Sequence, residues 1–254
     1  MYTNRLFHDE GSNVFHNETM VYFSQCGNNK QLSLSELLRL TSDTAVEDYR
    51  ERGMSRDVLL QNNYAILVSR VAFRFHSLPR ENQRVAVSTW EEKPEPVQLV
   101  RAYEIAAEDG AKLVSGLSTW LVVNPATRRI VPTKEFTMRP EPVASGKHDC
   151  LKPGKIIAGD DLELWDERTV KLSDIDGNNH TNNSRYGAFV EDALPADCRA
   201  LPFTDFRLNY SKEATLGQKL LVYGKNDTLS RKLTVVGRAE NRISFEAELY
   251  YASR

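Results

Sequence analysis

The sequence predicts an α+β protein made of two tandem units, each a helix followed by an antiparallel meander. Three observations carry that expectation. The apolar period switches from helical to alternating after Gly53, a proline-rich break follows, and the same helix-then-strands succession then recurs. A sheet carrying one helix buries little alone, so two such units are expected to share a core. The length of 254 residues suits one large or two small domains at roughly 150 residues each. The expected division is an N-terminal unit over 1–140, a linker over 141–160 and a C-terminal unit over 161–254.

The first helix is announced by Ser33 and Glu36, a capping-box pair whose hydroxyl and carboxylate can satisfy each other's free amides. Leu34, Leu37, Leu38, Thr41 and Ala45 then recur on one helical face, and Gly53 is the expected stop. Beyond it Val71, Phe73 and Phe75 alternate with Ala72 and Arg74, and further alternating runs follow at 85–89 and 99–105. Asp109-Gly110 signals a hairpin into a strand over 113–123. Residues 124–159 hold five of the ten prolines together with Gly146, Gly154 and Gly159. Proline removes a backbone donor and fixes φ, so this stretch is a linker rather than central sheet. After it, Tyr186, Phe189, Val190, Ala193 and Leu194 mark one face of a second helix, stopped by Pro195. Strands are expected at 206–210, 220–223, 233–236 and 243–251. Trp90 and Trp120 fall in strands as core or tunnel-lining residues, and Trp165 is expected against the linker.

Composition excludes several classes of function. With 41% hydrophobic and 27% charged residues the chain is an ordered globular one. A formal charge of −2 provides no global basic field to draw it onto nucleic acid. No apolar run approaches about 18 residues, so no membrane insertion is expected. Cys26, Cys150 and Cys198 are few, odd in number and far apart, which suits a reducing compartment and argues against a disulfide framework or a zinc knuckle. Residues 1–20 contain Asp9, Glu10 and Glu18, unlike a secretory signal or transit peptide, so the expected compartment is the cytoplasm. The five histidines are scattered without metal-ligand spacing, and no glycine-rich phosphate loop is present; no metal and no cofactor are implied.

The densest polar cluster spans residues 173–183, immediately before the second helix. Asp, Asn and Gly favour turns and caps, so one such loop per domain needs no function. Its spacing says more. Asp176, Asn178 and His180 fall at i, i+2 and i+4, which in an extended segment places all three on one face. They precede a helix N-terminus, where free N–H groups favour developing negative charge. Carboxylate, amide, imidazole and open amides together suit acyl transfer through a tetrahedral oxyanion.

The run Asp176-Gly177-Asn178-Asn179-His180-Thr181-Asn182-Asn183-Ser184-Arg185-Tyr186, with Glu191 beyond it, resembles the D-x-N-x-H-x-N-N-x-x-Y signature of acyl-[acyl carrier protein] thioesterases. That resemblance implies a double hotdog fold, which matches the two helix-and-meander units. It implies hydrolysis of fatty acyl-carrier thioesters to free fatty acid and carrier thiol in fatty acid biosynthesis. It also implies a catalytic set of Asp176, Asn178, His180 and Glu213, the last in the segment Tyr210-Ser211-Lys212-Glu213-Ala214. Many plant relatives carry Cys after that Glu; Ala214 here excludes a cysteine nucleophile at that position. Glu213 is the favoured general base with Asp176 orienting a partner, although the two roles are interchangeable and direct carboxylate attack through an anhydride is open. The helix amides near residues 180–182 are expected to polarise the thioester carbonyl. In the first unit Leu78 faces the position of Glu213, which suits a single site with an apolar wall lent by the N-terminal unit, associated in that family with chain-length choice.

The expected partner is an acyl carrier protein bearing a fatty acyl chain. Residues 199–242 carry nine Lys/Arg and four Asp/Glu, a local excess that could dock an acidic carrier or simply guard strand edges. An acyl-CoA thioesterase on the same scaffold and a non-catalytic acyl-binding hotdog protein are the alternatives. Exposed sheet edges leave a homodimer open.

Overall fold

The computed structural model describes residues 4–143 and 148–253; Gly146 of the proline-rich stretch lies outside the described residues. In chain order the first half comprises β1 (Arg5–His8), β2 (Phe15–Met20), α1 (Leu34–Glu51), α2 (Arg56–Gln61), β3 (Ala65–Phe75), β4 (Arg84–Glu91), β5 (Leu99–Ala107), β6 (Lys112–Asn124) and β7 (Arg129–Ile130). The second comprises β8 (Glu163–Thr169), α3 (Arg185–Ala193), β9 (Phe203–Tyr210), β10 (Lys219–Asp227), β11 (Lys232–Ala239) and β12 (Arg242–Tyr251). All twelve strands join one antiparallel sheet in the order β1-β2-β4-β5-β6-β3-β9-β12-β11-β10-β8, with β7 on β6. The order mirrors itself about the β3–β9 seam, where Val71 lies opposite Leu208. This is the α+β arrangement the repeated pattern predicts.

Local chemistry explains the elements. Ser33 Oγ accepts from the Glu36 N–H at 3.3 Å, but the reciprocal arm of the capping box is not made. The Glu36 carboxylate turns to Arg39 and Gln25 instead. Leu34, Leu37, Leu38, Thr41 and Ala45 are buried along α1 as their spacing requires. Between β5 and β6, Gly110 takes φ +82° and Asp109 Oδ1 accepts from the Ala111 N–H, so the Asp-Gly hairpin forms where expected.

One apolar core joins both halves, with α1 and α3 packed on each other and against the sheet. Gly187 permits that crossing, because a Cβ there would lie 2.7–3.0 Å from backbone atoms of Leu34 and Ser35. Glu191 of α3 completes the junction by accepting the Leu34 N–H at 2.9 Å, capping the first turn of α1 from the other half of the chain. A buried polar knot lies under the far end of α1. Asp48, 1% exposed at its side chain, accepts from Arg101 and Arg52 and contacts His8, while Tyr49 donates to Glu91.

Phe206, Leu208 and Tyr210 of β9 face the helices, so Asp205, Arg207 and Asn209 face the opposite side. The described segment before β8, residues 148–161, crosses that side. His148 pairs with Glu92 at 2.8 Å, Asp149 with His76 at 3.1 Å, the Gly154 carbonyl accepts from Arg207, and Asp161 meets Lys225. Trp90, expected in the core or tunnel, stacks its ring on His148 and donates its Nε1 to Glu92. Trp165 sits at a β-bulge between β8 and β10 and lies over Gly224, where no side chain obstructs the indole. Trp120 is buried as expected.

Candidate active site

The loop before α3 is a tight hairpin, not the extended segment that the i, i+2, i+4 argument assumed. Ile175 and Thr181 form a β-bridge, Asp176 N–H donates to the His180 carbonyl at 2.9 Å, and Asn179 N–H donates to the Asp176 carbonyl at 3.0 Å. Asn179 closes the turn at φ +62°, a conformation asparagine tolerates better than most residues. Asp176 Oδ1 then accepts the Asn178 N–H at 2.8 Å, an Asx turn inside the hairpin. The turn, rather than the pleat, gathers Asp176, Asn178 and His180 along one cavity.

Glu213 reaches the same cavity from the end of β9. Thr181 holds its segment by donating both N–H (2.9 Å) and Oγ1 (2.8 Å) to the Ala214 carbonyl. The Tyr186 hydroxyl accepts the Ala214 N–H at 3.3 Å, and Ser244 Oγ donates to the Lys212 carbonyl at 2.7 Å. So braced, Glu213 Oε2 lies 3.3 Å from His180 Nε2. The pair stays open to water, with 40% of the His180 and 62% of the Glu213 side chain exposed. All four residues expected from sequence therefore line one space.

Of the amides expected at 180–182, those of Thr181 and Asn182 already have backbone partners. Thr181 N–H is engaged by Ala214, Asn182 N–H by the Asp174 carbonyl at 2.8 Å, and Ser184 N–H by Asn182 Oδ1 at 2.9 Å. α3 begins only at Arg185. Side-chain donors line the cavity as well, among them the His180 imidazole and the Asn178 carboxamide.

The cavity has a volume of about 1010 Å³ and runs from this polar mouth into apolar walls formed by Val46, Leu59, Leu60, Ile66, Val68 and Trp120. Those walls come from α1, α2, β3 and β6, all in the first half. Sequence reasoning missed α2, and with it Arg56, whose Nη2 donates to Asn178 Oδ1 at 2.6 Å. Six residues are too few to show a helical period; Ser55, whose Oγ accepts from Val58 N–H, is the only local signal.

The first half holds a loop of the same backbone geometry without these side chains. Cys26 bridges Leu32 as Ile175 bridges Thr181, Gly27 N–H donates to Gln31 O, and Lys30 takes φ +61° where Asn179 takes +62°. Leu32 N–H donates to Pro79 O as Thr181 N–H donates to Ala214 O, which sets Leu78 in register with Glu213. Gly27, Asn29 and Gln31 thus stand where Asp176, Asn178 and His180 stand in the second half.

Comparison with known proteins decides the family. The family model for the acyl-ACP thioesterase N-terminal domain matches residues 12–139, and that for the C-terminal domain matches residues 160–249. The chain belongs to the acyl-ACP thioesterase family. It is 23% identical over 197 residues to a chloroplastic palmitoyl-acyl carrier protein thioesterase of Gossypium hirsutum, covering 72% of this chain and 47% of that protein. It is 22% identical over 220 residues to a chloroplastic acyl-[acyl-carrier-protein] hydrolase of Cuphea viscosissima, covering 79% and 52%. The chain thus spans about half the length of the curated relatives it matches. Among solved structures, an acyl-ACP thioesterase from Bacteroides thetaiotaomicron superposes with a TM-score of 0.84 at 20% identity, covering 96% of this chain and all of that one. The 12:0-ACP thioesterase of Umbellularia californica superposes at 0.82 and 17% identity, covering 98% and 100%. These likenesses establish the double hotdog fold. Among the described residues, no group of His, Cys, Asp and Glu is placed to hold a metal, and no helix is long and apolar enough to cross a membrane.

Proposed function

We propose that this protein hydrolyses fatty acyl-[acyl carrier protein] thioesters to free fatty acid and carrier thiol, in fatty acid biosynthesis. The observation that carries the reading is the His180–Glu213 pair, 3.3 Å apart at the polar mouth of an otherwise apolar cavity of about 1010 Å³. A water between cavity and solvent gives its proton to Glu213 as its oxygen attacks the thioester carbonyl carbon. The carbonyl oxygen becomes the oxyanion, stabilised by Asn178 Nδ2–H and the His180 imidazole. Collapse breaks the C–S bond, and the proton held by Glu213 passes to the departing sulfur, directly or through His180. Asp176 orients rather than reacts, because its Oδ1 holds the Asn178 N–H and so shapes the hairpin. The acyl chain occupies the apolar walls supplied by the first half.

A carrier protein as the thiol partner is supported less by the basic excess over residues 199–242 than its count suggests. Arg207, Lys219, Lys225, Lys232 and Arg242 of that segment are paired with carboxylates. Lys212 at the cavity mouth is better placed to meet an acidic carrier. The decisive experiment measures thiol release from one acyl chain presented on carrier protein and on CoA, with His180→Ala as control. Release from the carrier form alone, abolished in the control, supports the proposal. Equal release from both moves the substrate to acyl-CoA, and binding without release leaves a non-catalytic acyl-binding protein.

A further inference from the structure

We infer that Arg56, contributed by the first half of the chain, is a positioning residue for the hydrolysis proposed above: it fixes the orientation of the Asn178 carboxamide. A guanidinium donates and cannot accept, so the amide atom facing it must be the carbonyl oxygen. With Oδ1 bound to Arg56 Nη2 at 2.6 Å, the Asn178 NH2 group is turned away from Arg56 as the free donor at the cavity mouth. Among the described residues no carboxylate lies within ion-pair distance of Arg56, so the charge is not diverted elsewhere. The bond also polarises the amide, which strengthens its N–H as a donor to a developing oxyanion. The backbone of Arg56 is held firmly although its side chain is exposed: Ser55 caps α2 and Leu59, buried on the same helix, anchors it in the core. The active site is composite in consequence. The second half carries the reacting groups, and the first half sets the orientation of one of them across 122 positions of sequence.

This inference rests on the thioesterase reading, and the test separates the two. The variants are Arg56→Met, Arg56→Lys, Asn178→Ala and the Arg56→Met/Asn178→Ala double substitution, assayed for thiol release from an acyl-carrier substrate. Arg56→Met is expected to lower kcat by about 10- to 100-fold with KM little changed, the scale set by loss of a positioned group. Arg56→Lys, which keeps a charged donor, recovers most of the rate. The double variant is no slower than Asn178→Ala alone, because Arg56 acts through Asn178. Additive losses, or a KM effect with kcat intact, would overturn the role and make Arg56 a docking cation. A second readout needs no turnover: the Asn178 side-chain NH2 resonance in 15N-labelled protein, identified by its loss in Asn178→Ala. It should shift in Arg56→Met, and an unmoved resonance would overturn the contact itself. A wild-type protein that releases no thiol while that resonance shifts would instead sink the thioesterase reading, and the catalytic role of Arg56 with it.

Discussion

Replacing Glu191 by Gln should make the protein more stable in mildly alkaline buffer and leave it unchanged in acid. Glu191 joins α3 to the N-terminus of α1 through the Leu34 N–H, yet burial pushes its carboxyl up to about 7, with Asp192 adding to the rise and the Leu34 bond opposing it. A native carboxyl that holds its proton more tightly than the unfolded one contributes stability in acid that is lost as pH rises through its native titration. The window therefore runs from the ordinary glutamate range up to about pH 7. Converted at about 1.4 kcal/mol for each tenfold change in proton affinity, the loss would approach about 3 kcal/mol for a fully buried group. Partial exposure of Glu191 reduces it to about 2 kcal/mol, or about 4–8 °C in Tm for a chain of this size. Gln keeps an oxygen for Leu34 and carries no charge at any pH. Urea unfolding of both proteins at pH 5, 6, 7 and 8.5 isolates the residue, since all other groups cancel in the difference. The two stabilities should diverge between pH 5 and 8 in favour of the variant. Parallel curves would refute the reasoning, because they would show that the wild-type carboxyl ionises in the native state at no cost.

Other substitutions test the helix crossing, the polar knot and the bracing of the site. Gly187→Ala drives a Cβ into the backbone of Leu34 and Ser35, which cannot yield as a side chain could, so a loss of about 1–3 kcal/mol is expected in thermal unfolding. Asp48→Asn removes the nearer of the two carboxylates of the fully buried Arg101 guanidinium, at 2.8 Å, and leaves only Glu91 at 3.6 Å, so it should cost up to about 3–5 kcal/mol. Adding Arg101→Met together with Glu91→Gln should restore most of that, and a further loss would show that the knot is valued for more than charge balance. Tyr186→Phe removes the acceptor of the Ala214 N–H behind Glu213. It should lower kcat with a stability loss of about 1–3 kcal/mol, measured by thiol release and melting in parallel.

Much of this fold is visible in short stretches of sequence because local physics decides it. Ser33 and the Leu34–Leu37–Leu38 spacing mark α1, Asp109-Gly110 marks the β5–β6 turn, and the face of Tyr186, Phe189 and Val190 marks α3. What was not visible depends on partners distant in sequence. β2 carries His16, Asn17, Glu18 and Thr19, a polar run whose strand character shows only when it is paired along β4. The motif residues were found but their geometry was not, because the left-handed Asn179 turns an apparent period-two run into a hairpin. Glu213 is legible only through the family resemblance. Nothing local to it reports that Thr181 and Tyr186, from another element, will seat it beside His180.

The duplicated loops explain why one site rather than two survives in a fold built from equivalent halves. Gly27, Lys30 and Gln31 preserve every backbone bond of the 176–180 hairpin, so the turn itself is a structural requirement of the strand-to-helix passage in each half. Its side chains are separable from that requirement: with Gln31 at the place of His180 and Leu78 at the place of Glu213, the first half retains the scaffold without the proposed base. What it has in exchange is length. α1 runs for 18 residues against 9 in α3, and α2 follows it, whereas only residues 194–202 separate α3 from β9. That extra helix walls the cavity through Leu59 and Leu60 and reaches Asn178 through Arg56. Among the described residues the second half has no helix between α3 and β9 to match α2. Restoring Asp, His and Glu to the first half would therefore not create a second site, because the wall and the orienting cation would still be missing.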